Sequence, residues 1–189
     1  MEESLTTDTL TETICRGKKG KFLPGCNDPY ELSRSKIELF HKCQRCFWLE
    51  LNGYRLLFHK RSIDTSGKCN AFFTGNPSDE VLGVVFEIIP AEKQFLDRAE
   101  GLGKGYEEKI VSIETNFSNY KCYTYVAATA HIDDRLAPYT WYRDIVAAGA
   151  KEHNLPRAYI QVNILSVEAL NDADVDRDAR ERKFLELKT

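Results

Sequence analysis

A carboxylate that closes a helix against a glycine turn is where side-chain type and spacing in this chain first suggest chemistry. The stretch is Leu96-Asp97-Arg98-Ala99-Glu100-Gly101, with Leu102-Gly103-Lys104-Gly105-Tyr106 behind it. Pro90 suits a first helical position and Glu92 the positive end of the macrodipole. Phe95, Leu96 and Ala99 form a core-facing stripe, and Gly101 is the expected left-handed stop. Glu100 then sits at the helix end that favours cations, four residues after Leu96, so it borders the buried stripe. Both placements disfavour the ionised form, which is how a carboxylate becomes a useful proton acceptor near neutrality. The plain alternative is a solvated glutamate at a frayed helix end.

The second candidate is Cys43-Gln44-Arg45-Cys46, half of a zinc or iron–sulfur ligand set. Cys15, Cys26, Cys69 and Cys122 are isolated, so the other half is missing and the reading is of ordinary reduced thiols with no bound metal. Arg16-Gly17-Lys18-Lys19-Gly20-Lys21 is a short basic cluster that reads first as a solvated loop.

The elements that must position these groups follow from periodicity. Residues 1 to about 30 are polar and unperiodic, and an amphipathic helix is expected from Ser33 onward. Residues 53–60 and 68–73 read as strands. Residues 81–89 are a near-continuous apolar run, as in a strand covered on both faces. Residues 108–114 and 121–127 are expected to form a hairpin through Asn116, Ser118 and Asn119. A helix is expected with Trp141, Ile145, Ala148 and Gly149 on one face, stopping near Pro156, and another from Arg157 to Val167. The run from Asn171 to Arg182 is dense in both charge signs and reads as a solvated tail, dispensable for folding.

The 189 residues suit one domain of ordinary size. A net charge of −3 provides no basic field for nucleic acid. No apolar run reaches the ~18 residues of a membrane span. The opening residues lack a secretory pattern, so a cytoplasmic protein is expected.

Gly53-Tyr54-Arg55-Leu56, the run from Val81 to Ile88, Leu96 to Gly101, and Trp141 to Pro156 resemble, in that order and spacing, the gamma-glutamylcyclotransferase family (AIG2-like). The resemblance covers about residues 52–170. It implies an α+β fold, a small mixed β-barrel flanked by helices. It also implies cyclisation of a γ-glutamyl amide or peptide to 5-oxoproline, with release of an amine or amino acid and no cofactor. In this light Glu100 is the general acid/base, and Tyr106 and Tyr142 line the substrate pocket. The implied partner is the small γ-glutamyl substrate; a homodimer stays open.

The chain departs from the family at its start, where the family's strand and Tyr-Gly-Ser-Asn loop are absent. Residues 32–50, from Leu32 through Cys46 to Glu50, instead resemble the opening helix of PD-(D/E)XK nuclease-like proteins, without the nuclease carboxylates downstream. The expected organisation is an atypical extension over 1–50, partly disordered then helical, a cyclotransferase-like domain over 51–170, and a charged tail over 171–189. Besides an active enzyme, two readings remain: a catalytically silent binding module that lacks the loop, and a metal or nucleic-acid protein working through its CxxC helix.

Overall fold

The computed structural model describes residues 48–85, 88, 90–114 and 119–186. The CxxC pair, the basic cluster and nearly all of the nuclease-like stretch lie outside them, as do Phe86, Glu87 and Ile89 of the apolar run. The described residues fall into two units. One holds the described part of 85–100; the other holds 48–84 and 101–186.

In the first unit, a short 3-10 turn, Pro90–Glu92, leads into helix α1, Lys93–Glu100. Its surface is stitched by a 2.8 Å Lys93–Asp97 pair at helical spacing and by Arg98 lying 5.6 Å over the Phe95 ring. The helix is where the sequence puts it, and Gly101 follows at φ +73°, the left-handed conformation that ends a helix cheaply only at glycine. Phe95, expected in the core stripe, is 40% exposed, whereas Glu100 is half-buried.

The second unit carries six strands: β1 Trp48–Asn52, β2 Tyr54–Arg61, β3 Gly67–Phe73, β4 Glu80–Val84, β5 Tyr106–Glu114 and β6 Asn119–Ala127. They form three antiparallel ladders, β1 with β4, β2 with β3, and β5 with β6. In space β1 also lies beside β5, β2 beside β4 and β3 beside β6. The order of neighbours thus returns on itself, yet hydrogen-bonded pairing among the described residues stays within the three ladders, so this is not a fully bonded barrel. Trp48–Glu50, which the nuclease resemblance makes helical, are strand, and they fill the place between β4 and β5.

Helices α2, Thr140–Glu152, and α3, Arg157–Ile160, back onto the strands. Phe58 and Leu82 from β2 and β4 share one core with Ala147, Ala150, Leu155, Tyr159, Ile160 and Ile164. The buried positions of α2 are Trp141, Ala147 and Ala150, a face turned from the expected one; Ile145, Ala148 and Gly149 are only half-buried. The expected third helix exists, but after Ile160 it widens into a π-turn, Gln161–Leu165.

The charged run differs most from its expectation. Val175–Glu186 is helix α4, packed against α2. Its charges are not simply solvated. Arg177 clasps the Asp172 carboxylate at 2.6 Å through both Nε and Nη2, and Trp141 Nε1 donates to the same carboxylate at 2.9 Å. Arg182 reaches Asp144 and Thr140 on α2. Paired charges at a helix contact look like a solvated run in sequence, because composition does not reveal the partner.

Candidate active site

The local fold of β2 and β3 explains what gathers at the centre of the second unit. Their register is regular from Tyr54↔Phe73 to Leu57↔Asn70, then resumes at Lys60↔Lys68. Two residues of β2, Phe58 and His59, therefore oppose one residue of β3, Cys69. This is a β-bulge, which bends the strand and interrupts its ladder. Gly67 marks its edge: a Cβ there would lie 2.0 Å from the Phe58 carbonyl oxygen, so the bulge needs a residue without a side chain.

A buried peptide group that loses its ladder partner must find another. Two tyrosines serve Cys69. The Tyr106 hydroxyl donates to its carbonyl oxygen at 2.7 Å, and its N–H donates to the Tyr142 hydroxyl oxygen at 3.2 Å. Tyr106 opens β5 and Tyr142 lies in the first turn of α2. The sequence names both as site residues, and the structure brings their hydroxyls to the two sides of one residue. Burial pushes the Cys69 thiol up to about 12, so it is a neutral, inert group. Burial likewise raises Tyr142 well above the ordinary phenol value, and the neighbouring thiol and Tyr106 add to the effect. Both act as neutral hydrogen-bonding groups across the physiological range.

The glycine turn sets the height of Tyr106. Gly101, Gly103 and Gly105 all have positive φ. The turn is closed by Lys104 N–H to Gly101 O at 2.8 Å and Gly103 N–H to Tyr106 O at 2.9 Å. At Gly105 a Cβ would meet Lys60 Cε at 3.0 Å and the His131 ring at 3.3 Å. Removing that side chain lets Lys60 lie over the Tyr106 ring, 4.6 Å from its centroid.

Sequence reasoning missed two polar groups here. His59, 5% exposed, stands in the bulge between Asp134 Oδ1, 2.7 Å from Nδ1, and Asn70 Nδ2, 2.9 Å from Nε2. The Asn70 Oδ1 accepts the Ala127 N–H at 2.8 Å, which orients the amide with its Nδ2 toward Nε2 of the ring. Both nitrogens are engaged, so His59 ties β2 to β3 and, through Asn70, to β6. Lys68 lies on the other side of Cys69, its ammonium 2.7 Å from Asp64 Oδ2. A histidine and a lysine within strand patterns carry no sequence signal of these partners. A shallow groove of about 320 Å³ opens beside His59, with Asp134, Leu136, Pro138 and Glu168 among its walls.

Among the described residues no group of three or more His, Cys, Asp or Glu side chains is placed to hold a metal ion, and no helix is long and apolar enough to cross a membrane.

Comparison with known proteins bears on this region. Residues 80–162 match the model of the AIG2-like family. It runs from β4 through α1, the glycine turn and both tyrosines into the π-turn, and over that span it upholds the resemblance read from the sequence. Comparison with curated proteins yields no match. Among solved structures, one titled "Gamma-glutamyl cyclotransferase" superposes with a TM-score of 0.59 at 23% identity, covering 73% of this chain and 86% of that one. YkqA from Bacillus subtilis has a TM-score of 0.59 at 20% identity; the match covers 73% of this chain and 51% of YkqA, about half its length. The fold of the AIG2-like segment and its surrounding strands is therefore the α+β fold of these proteins.

Proposed function

We propose that this protein is a gamma-glutamylcyclotransferase that closes a γ-glutamyl amide or peptide to 5-oxoproline. The observation that carries the reading is the convergence of Tyr106 and Tyr142 on Cys69, within a unit whose fold is that of a structure titled as this enzyme and alongside an AIG2-like match that also contains Glu100.

In the proposed reaction the substrate's α-amine attacks its own δ-carbonyl. A C–N bond forms within the new five-membered ring, and the C–N bond to the leaving group breaks. Glu100 takes one proton from the α-ammonium to free the attacking lone pair and passes it to the departing nitrogen. The ring nitrogen then sheds a second proton, which ends on the released amine as its ammonium, so protons balance and no water is consumed. Ring closure needs the substrate folded back on itself, and holding it there removes the entropic part of the barrier. Tyr106 and Tyr142 have that positioning role. Phenol hydroxyls both donate and accept, and these two are fixed by the Cys69 peptide groups.

One observation favours a second reading. The family's Tyr-Gly-Ser-Asn loop, whose amides hold the γ-glutamyl head, does not occur in the sequence, which suits a binding module without turnover. Incubating the protein with a panel of γ-glutamyl amines, γ-glutamyl amino acids and glutathione, and assaying 5-oxoproline, separates the two. Product that is lost in Glu100→Gln supports the enzyme. Binding of a γ-glutamyl compound without any product supports the module.

A further inference from the structure

Lys68 is a buried cation that the proposed chemistry leaves unused. Its side chain is 13% exposed and that of its partner Asp64 16%. The ammonium donates to Asp64 Oδ2 at 2.7 Å and to Ser66 Oγ at 2.9 Å. Asp64 is held in turn by the Ser66 N–H at 3.1 Å and the Ser66 hydroxyl at 2.8 Å. On its other side the ammonium sits 4.5 Å from the ring centroids of both Trp141 and Tyr142. Trp141 is itself pinned by its bond to Asp172. Oxygen ligands thus grip the cation from one side and two aromatic faces meet it from the other.

A cation on an aromatic face is worth most where water is excluded, as here. Burial lowers the ammonium's hold on its proton, with Arg177 adding to that, while Asp64 and Glu181 oppose it. Tyr142 needs such support. Its hydroxyl contact with the Cys69 N–H is long, 3.2 Å, and its ring, packed beside the core, meets Phe58 and Trp141 edge-on at 6.2 and 5.8 Å. What packs the face of the ring therefore contributes, beside the core and the Cys69 thiol, to where its hydroxyl sits.

We propose that Lys68 is a positioning residue for Tyr142, its Asp64-held ammonium fixing the ring so that the hydroxyl meets the Cys69 peptide. The consequence for turnover rests on Tyr142 binding substrate, as proposed above; the consequence for the ring does not.

The test is amide hydrogen exchange of Cys69 followed by NMR, alongside steady-state kinetics. Lys68→Met alone would strand the Asp64 charge, so the main variant is Lys68→Met combined with Asp64→Asn, in which the amide oxygen still accepts from Ser66. In that variant the Cys69 N–H should exchange about 2- to 30-fold faster, the factor equivalent to one cation–π contact, while amides of the regular pairs Leu56↔Ala71 and Arg55↔Phe72 hold their rates. Lys68→Arg, which keeps the cation, should restore slow exchange. On a γ-glutamyl substrate KM should rise with kcat retained. Unchanged exchange at Cys69 or equal acceleration along the whole ladder overturns the proposal, whereas accelerated exchange with an unchanged KM in an active enzyme removes the substrate role of Tyr142 and upholds the positioning role. If wild type forms no 5-oxoproline but Cys69 responds as described, the cyclotransferase reading falls and the positioning role stands.

Discussion

Replacing Tyr106 by phenylalanine removes one oxygen and leaves the Cys69 carbonyl facing a ring. The carbonyl sits at a bulge where β2 offers no residue in register, so its 2.7 Å bond to Tyr106 cannot be replaced by the ladder. Leaving a buried acceptor without a donor costs about 1–3 kcal/mol. Tyr142→Phe strands the Cys69 N–H in the same way, but that bond is 3.2 Å, so its cost should fall in the lower half of the range. For a chain of this size each kcal/mol corresponds to about 2–4 °C in the thermal midpoint. Tyr106→Phe should therefore melt several degrees below wild type and below Tyr142→Phe. Because both hydroxyls serve one residue, the double variant should depart from additivity by about 0.5 kcal/mol or more. Urea denaturation of the four proteins of the cycle gives all three quantities. If Tyr106→Phe is as stable as wild type, or the two losses simply add, the two phenols do not clasp Cys69 and the site built on that clasp is wrong.

Glu100→Gln keeps the shape of the side chain but cannot carry the ammonium proton. In the 5-oxoproline assay its turnover should drop by about 10²–10⁴-fold while Glu92→Gln keeps full rate, and wild-type turnover in Glu100→Gln would remove the general acid/base assignment. Gly67→Ala forces a Cβ to 2.0 Å from a backbone oxygen, so it should cost at least the ~1–3 kcal/mol of ordinary overpacking; a normal melting curve would contradict the bulge geometry. Removing residues from 172 onward takes away both the Asp172 carboxylate and α4, and the thermal midpoint should fall by several degrees; an unchanged midpoint would restore the solvated-tail expectation. Arg177, with Trp141 and the Asp174 N–H assisting, holds the Asp172 carboxyl well below the usual carboxylate range. A depressed folded value means that its stabilisation is present above the unfolded value near ~4 and is lost as pH falls below that toward the folded value. Asp172→Asn should thus be less stable than wild type at neutral pH, with the gap closing in acid melts; a gap independent of pH would refute the linkage.

Local signals determined much of this protein. Glycine adopts positive φ without steric cost, so the turn after α1 and the helix stop at Gly101 were legible, as were the strands β2, β3, β5 and β6 and the existence of α2, though not its buried face. The order of the quoted motifs pointed to a resemblance that the AIG2-like match over residues 80–162 upholds, and through it to Glu100, Tyr106 and Tyr142 as candidates. Tertiary structure decided what those residues touch. A bulge is a mismatch between two strands, so neither strand's sequence announces that Cys69 lacks a partner or that two distant phenols provide one. The pairings of His59 with Asn70 and Asp134, of Lys68 with Asp64, and of Arg177 with Asp172 join residues whose charges and polarity would suit solvent equally well. Burial is a property of the assembled chain, and it turns the charged run after Asn171 from an apparent tail into a helix fastened to α2.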